Sequence, residues 1–212
     1  MKPVIDYTLY LVLDPQACCG RNPLDIALEA VQGGVTLVQL RSPFWKKRDI
    51  YELAVELKAI LTDYSVPLLI NDHVDVAVAA KADGAHVGQK DLPVIQSREI
   101  LGTDAILGLS VSFPEQLSNA IALPQGTVDY LGCGPAFPTS SKEDANPVIG
   151  VKVIDEFAAH SPYPVVAIGG IDEEKAHLFH GTQVSGICTI SAICSSPDAA
   201  LSASRLKKAF TG

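Results

Sequence analysis

The sequence predicts a (β/α)8 barrel in a single domain, and three observations carry that expectation. Short aliphatic runs alternate with amphipathic stretches eight times along the 212 residues. The short runs are rich in Val, Ile and Leu on both faces, as parallel strands covered by helices must be. Nearly every run also ends in a polar residue or a glycine, and in such a barrel the strand ends share one mouth where function collects.

The elements follow in order. Residues Ile5 to Leu13 read as a first strand, and Pro23 to Gln32 as a helix closed by Gly33 and Gly34. Thr36 to Arg41 is a second strand, followed by a helix over Arg48 to Asp63 with Ile50, Leu53, Ala54, Leu57 and Leu61 on one face. Strands are expected at Val66–Asn71, Gly84–Val87, Ile106–Ser110 and Val128–Gly132. The helices that follow them are expected at His73–Ala80, Pro93–Leu101, Pro114–Leu123 and Gly150–Ala159. Pro164 to Ile168 is a seventh strand, then a helix over Asp172–Phe179 with Asp172 as its N-cap. Val184 to Ile190 and a closing helix over Pro197–Phe210 complete the pattern. An open doubly wound sheet fits less well, because no Gly-rich dinucleotide turn follows the first strand. No linker divides the chain, so residues 1–212 read as one domain.

Composition narrows the function. A net charge of −8 and one short basic cluster, Lys46-Lys47-Arg48, argue against a nucleic-acid surface. No apolar run approaches the roughly 18–20 residues of a membrane span. The N-terminus reads as a strand and not as a signal peptide, so a cytoplasmic protein is expected. The five cysteines are odd in number and lack metal-ligand spacing, which argues against a disulfide framework or a zinc site. Cys133, beside the proposed site, is the thiol marked for reactivity.

The chemistry gathers at the strand ends. Gly132 to Lys142 opens a loop whose Thr139, Ser140, Ser141 and Lys142 offer hydroxyls, backbone donors and a cation suited to phosphate. Gly169-Gly170 after strand seven and Ile190-Ser191 after strand eight match the phosphate site that barrels often build there. Asp72 and Asp91 follow neighbouring strands, so both carboxylates can converge on one hard cation, Mg²⁺. Taken singly, Asp72 could instead cap a helix and Asp91 close a turn. Arg41 and Lys142 are the cations expected at the mouth, while Gln39 and Asn71 can orient an amide-like or heteroaromatic ring. Ser110 ends strand five. His86 reads as a satisfied packing residue. These residues suit two anionic groups and a metal, and little among them points to a protein nucleophile.

These segments resemble the thiamine phosphate synthase family. The resemblance rests on VQLR (Val38–Arg41), IND (Ile70–Asp72), ADGAHVGQKDLP (Ala82–Pro93) and GLS (Gly108–Ser110). It continues through DYLGCGPAFPTSSK (Asp129–Lys142), VVAIGGI (Val165–Ile171) and ISAI (Ile190–Ile193). It implies an enzyme that joins a hydroxymethylpyrimidine diphosphate to a thiazole phosphate and releases pyrophosphate. Mg²⁺ on Asp72 and Asp91 would hold the diphosphate. Arg41, Ser110 and Lys142 would act at the reacting pyrimidine, with Gln39 and Asn71 binding it. Thr139, Ser141, Gly169, Gly170, Ile190 and Ser191 would hold the thiazole phosphate. Substrates are thus small phosphorylated molecules, no nucleic-acid or membrane partner is expected, and homo-oligomerisation is left open.

Two departures from the family pattern stand out. Ser42-Pro43 occupy the place of an acidic residue and a lysine, so one cation is lost unless Lys46 or Lys47 reaches back. Thr139-Ser140-Ser141-Lys142 keeps the hydroxyls of the family's Thr-x-Thr-Lys. A thiazole tautomerase of the same superfamily is the second reading, though its histidine after strand five is replaced here by Ser112 and Phe113. A non-catalytic binder of thiamine precursors is the third.

Overall fold

Eight parallel strands close into a barrel in chain order: β1 (Leu9–Leu13), β2 (Leu37–Leu40), β3 (Leu68–Asn71), β4 (Gly84–Val87), β5 (Ile106–Val111), β6 (Tyr130–Cys133), β7 (Val165–Ile168) and β8 (Gly186–Thr189), with β8 paired to β1. The computed structural model describes residues 5–139 and 146–212. Around the barrel run α1 (Pro23–Gln32), α2 (Lys47–Asp63), α3 (Val74–Ala79), α4 (Val94–Leu101), α5 (Pro114–Ile121), α6 (Gly150–His160), α7 (Ser191–Cys194) and α8 (Ala199–Thr211). None of the described helices is long and apolar enough to cross a membrane.

The helix limits follow from local chemistry. Asn22 accepts from the Leu24 N–H at 3.0 Å ahead of Pro23, and Asp198 accepts from the Leu201 N–H at 2.8 Å, so α1 and α8 begin on side-chain caps. The apolar faces of α1 and α2 bury Ile26, Ala30, Ile50, Leu57 and Leu61 against the sheet. Each fully buried Leu or Ile contributes about 1.5–3 kcal/mol.

Strand alternation separates two cores. Leu9, Leu11 and Leu13 face the helices, whereas Tyr10 and Val12 join Leu37, Leu69, Ile106, Tyr130, Val166 and Cys188 inside the barrel. The inner residues form a packed floor, and the polar strand ends lie above it.

One expected element is corrected. Over Asp172–Phe179 only Ala176–Phe179 is helical, as a single 3₁₀ turn. Its buried residues, Ala176 and Phe179, are three apart, the spacing that a 3₁₀ turn stacks on one face. Asp172 does not cap an α-helix; its carboxylate accepts from the Lys175 N–H at 3.0 Å and pairs with the Lys175 ammonium. Two short elements were not expected: a 3₁₀ turn over Pro15–Cys18, capped by Asp14, and α7 directly after β8.

Candidate functional site

A cavity of about 170 Å³ opens at the C-terminal ends of the strands, on the order of ten times the space one water needs. Nine of the residues singled out by sequence line it: Gln39, Arg41, Asn71, Ser110, Thr139, Gly169, Gly170, Ile190 and Ser191. They come from β2, β3 and β5 and from the segments after β2, β6, β7 and β8, so only barrel closure brings them together. Ser141 and Lys142 lie outside the described residues.

Arg41 is held from the first strand. Its Nη1 donates to Asp14 Oδ2 at 2.9 Å, with the two side chains 14% and 8% exposed, and its backbone N–H donates to the Leu13 carbonyl. The other Asp14 oxygen accepts from the Gln16 N–H and starts the 3₁₀ turn. One carboxylate therefore terminates β1, caps a turn and orients the guanidinium.

A line of hydrogen bonds crosses the floor of the cavity. Gln39 Nε2 lies 2.5 Å from Tyr10 Oη, which lies 2.8 Å from Tyr130 Oη. Tyr130 Oη is 2.8 Å from His86 Nδ1, and His86 Nε2 is 2.8 Å from Ser110 Oγ. Burial pushes both phenols well above the ordinary tyrosine range, which keeps them protonated. The rings meet because Gly108 is in register with both His86 on β4 and Tyr130 on β6. A Cβ at Gly108 would overlap the Tyr130 ring and His86 Nδ1. The sequence reading of His86 as a satisfied packing residue holds for its two ring nitrogens, but the residue also lines the cavity.

The segment after β6 folds over the end of β7. Ala136 and Phe137 donate to the carbonyls of Ile168 and Gly169 at 2.8 and 2.9 Å. Gly169 and Gly170 have φ of 103° and 66°, and a Cβ at Gly169 would stand 2.6 Å from Pro135 Cα. This close backbone approach requires the Gly-Gly pair whether or not an anion is bound. Ser112 Oγ donates to the Gly134 carbonyl at 2.7 Å and accepts from Asn146 Nδ2 at 2.9 Å, anchoring both ends of the long loop.

Asp72 and Asp91 stand just beyond the lining. Asp72 follows β3 with φ 61°, a conformation that Asp tolerates better than most residues, and its N–H donates to the His86 carbonyl at 2.8 Å. Asp91 closes the turn after β4 through Oδ2, which accepts from the Gly88 N–H at 2.7 Å. Of the two lysines considered as replacements for the family's missing cation, Lys47 pairs with Asp75 on α3 at 2.8 Å, and Lys46 is exposed at the start of α2. Cys133 is fully buried and its thiol is pushed up to about 12 by burial, so it is not the reactive cysteine that its position suggested.

Sequence reading missed Asp14, Tyr10 and Tyr130 as parts of the site. Asp14 carried a usable signal, a charged residue ending an aliphatic strand. The tyrosines carried none, since each sits inside a strand as a packing aromatic would.

Comparison with known proteins identifies the family. Residues 9–193 match the family model described as thiamine monophosphate synthase. A thiamine-phosphate synthase of Laribacter hongkongensis is 45% identical over 201 residues, covering 94% of this chain and 93% of that protein. One of Ruminiclostridium cellulolyticum is 43% identical over 210 residues, covering 99% and 98%. Among solved structures, a thiamine phosphate pyrophosphorylase from Pyrococcus furiosus superposes with a TM-score of 0.86 at 32% identity, covering 97% of this chain and 96% of that one. On the family model, the relatives and the shared barrel, the chain belongs to the thiamine monophosphate synthase family.

Proposed function

We propose that the chain is a thiamine-phosphate synthase, a transferase that joins a hydroxymethylpyrimidine diphosphate to a thiazole phosphate and releases pyrophosphate. The observation that carries this reading is the convergence of Gln39, Arg41, Asn71, Ser110, Thr139, Gly169, Gly170, Ile190 and Ser191 on one cavity. In this reading Gln39, Asn71 and Ser110 surround the pyrimidine ring, and Arg41 neutralises charge on the departing pyrophosphate. Thr139 and the segments 169–170 and 190–191 receive the thiazole phosphate with hydroxyls and backbone N–H groups. Ser141 and Lys142 would complete the two anion sites. No protein nucleophile is needed, because loss of pyrophosphate leaves an electron-poor methylene that the thiazole nitrogen attacks.

The donor set fits Mg²⁺. Asp72 and Asp91 present hard carboxylate oxygens from the loops after adjacent strands, and Asp91 uses Oδ2 for the Gly88 N–H. Among the described residues no group of three or more His, Cys, Asp or Glu side chains comes together. A cation here would therefore take most of its shell from diphosphate oxygens and water, as Mg²⁺ does. When bound, Mg²⁺ would supply charge neutralisation of the leaving diphosphate. The cytoplasmic setting expected from the sequence accords with such small phosphorylated substrates.

The test is pyrophosphate release from the two substrates, with Mg²⁺ and with a chelator. Release that requires both substrates and the metal, with thiamine phosphate as product, is expected. No release despite binding of both ligands would overturn the assignment.

A further inference from the structure

The hydrogen bonds on the cavity floor can be followed in one direction. Gln39 Nε2 carries only hydrogens, so it donates to Tyr10 Oη at 2.5 Å. Tyr10 has a single proton, and its other partner is Tyr130 Oη at 2.8 Å. Tyr130 then accepts from Tyr10 and donates its own O–H to His86 Nδ1, also at 2.8 Å. A neutral imidazole that accepts at Nδ1 carries its hydrogen on Nε2, and that nitrogen faces Ser110 Oγ at 2.8 Å.

We propose that Gln39, Tyr10, Tyr130 and His86 form a one-way positioning chain that makes the Ser110 hydroxyl a fixed hydrogen-bond donor into the cavity. Ser110 Oγ accepts from His86 Nε2–H, which turns its own proton away from the histidine and towards the bound ligand. The ligand atom that faces Ser110 is then an acceptor, an unprotonated nitrogen of a heteroaromatic ring. Identifying that ring as the pyrimidine substrate rests on the function proposed above, whereas the tautomer of His86 does not.

Three features show that the chain is built and not incidental. Its members come from β1, β2, β4, β5 and β6, and their separations of 29, 120, 44 and 24 residues leave no local reason for contact. Both phenols are 2% exposed or less, which limits competition from water for their protons. Gly108 lies between His86 and Tyr130 in register and leaves the room that their contact needs. The direction is set at one end by the Gln39 amide. If its oxygen faced Tyr10, every proton would reverse, His86 would carry hydrogen on Nδ1, and Ser110 would donate to Nε2.

The experiment reads the tautomer directly. Long-range ¹H–¹⁵N correlation spectra of the ¹⁵N-labelled, substrate-free protein report which nitrogen of His86 is protonated, with the signal assigned by its loss in His86→Gln. A neutral ring protonated at Nε2 is expected; a ring protonated at Nδ1, or at both nitrogens, overturns the proposal. In Tyr130→Phe the His86 signals should move towards a mixture of tautomers. The KM for the pyrimidine diphosphate should rise roughly tenfold, the loss of one neutral hydrogen bond's alignment, with little change in the KM for the thiazole phosphate. Unchanged His86 signals in that variant would likewise overturn it. Should Tyr130→Phe fail to fold, the wild-type tautomer still decides. Should synthase activity be absent, the spectra still test the chain while the ring assignment falls with the function.

Discussion

Arg41 and Asp14 form an ion pair of 2.9 Å that joins the ends of β2 and β1 beneath the cavity mouth, and Asp14 spends its second oxygen on the N–H of Gln16. Because both side chains are largely buried, this pair should matter more than a surface salt bridge. Asp14→Ala removes the charge and the cap together and should cost about 2–4 kcal/mol. Asp14→Asn keeps a capping oxygen and should cost less, yet should still lower turnover because Arg41 loses its ion pair with Asp14. Urea denaturation and steady-state rates on both variants separate the two effects.

Gly108→Ala should disturb the site from within the barrel wall. The added methyl overlaps the Tyr130 ring and His86, and overpacking of this kind typically costs about 1–3 kcal/mol. A lowered melting temperature together with raised KM for the pyrimidine substrate is expected. A variant with wild-type stability and kinetics would show that the floor tolerates separation of the two rings.

Asp72→Asn and Asp91→Asn should each raise the Mg²⁺ concentration needed for half-maximal turnover by roughly 10- to 100-fold, since each replaces a charged oxygen donor by a neutral one. In Asp91→Asn the side-chain amide oxygen can still accept from the Gly88 N–H, so that turn and the melting temperature should be preserved. Titration of pyrophosphate release with Mg²⁺ is the measurement, and unchanged half-saturation would remove the residue from the metal site.

Alkaline pH should weaken the fold steadily. The Cys133 thiol is raised to about 12 by burial, and burial also raises Cys188, Tyr10 and Tyr130. Groups whose native pKa lies above the unfolded value bind more protons in the native state. Their stabilisation is complete below the unfolded pKa and is lost as pH rises from there through the native one. For the thiols that decline starts near pH 8.5, by up to about 1.4 kcal/mol per pH unit for each group. Urea midpoints between pH 7 and 10 test this. In the same range Cys19, which is exposed, should be alkylated by iodoacetamide while Cys133 is not.

Ser42 offers a stabilising substitution. Its hydroxyl is buried without a hydrogen-bond partner among the described residues, so Ser42→Ala removes a desolvated polar group and should be neutral or stabilising by up to about 1 kcal/mol. A loss of stability in thermal melts would mean that the hydroxyl is satisfied in solution.

Much of this molecule was legible from sequence because its signals are local. The period of apolar residues marks each strand and helix, Pro23 and Gly33 bracket α1, and a polar residue after an aliphatic run points to a strand end at the barrel mouth. Gln39, Arg41, Asn71 and Ser110 could be named on that ground alone. The helix expected at Asp172 failed because its polar first turn fits a capped loop as well as it fits a helix. Burial of Ala176 and of Phe179, the latter against Phe137 from the β6 loop, decides where the helical turn falls.

The sequence by itself determined the units, their order and the side of the barrel on which chemistry gathers, since residue type and period act over a few neighbours. Tertiary structure alone decided that Tyr10 meets Tyr130 across 120 residues, that Asp14 holds Arg41, and that Gly108 is small because two rings close over it. These relations depend on strand register and on closure of β8 against β1. Register depends on the sum of contacts around the whole barrel, which no single segment contains.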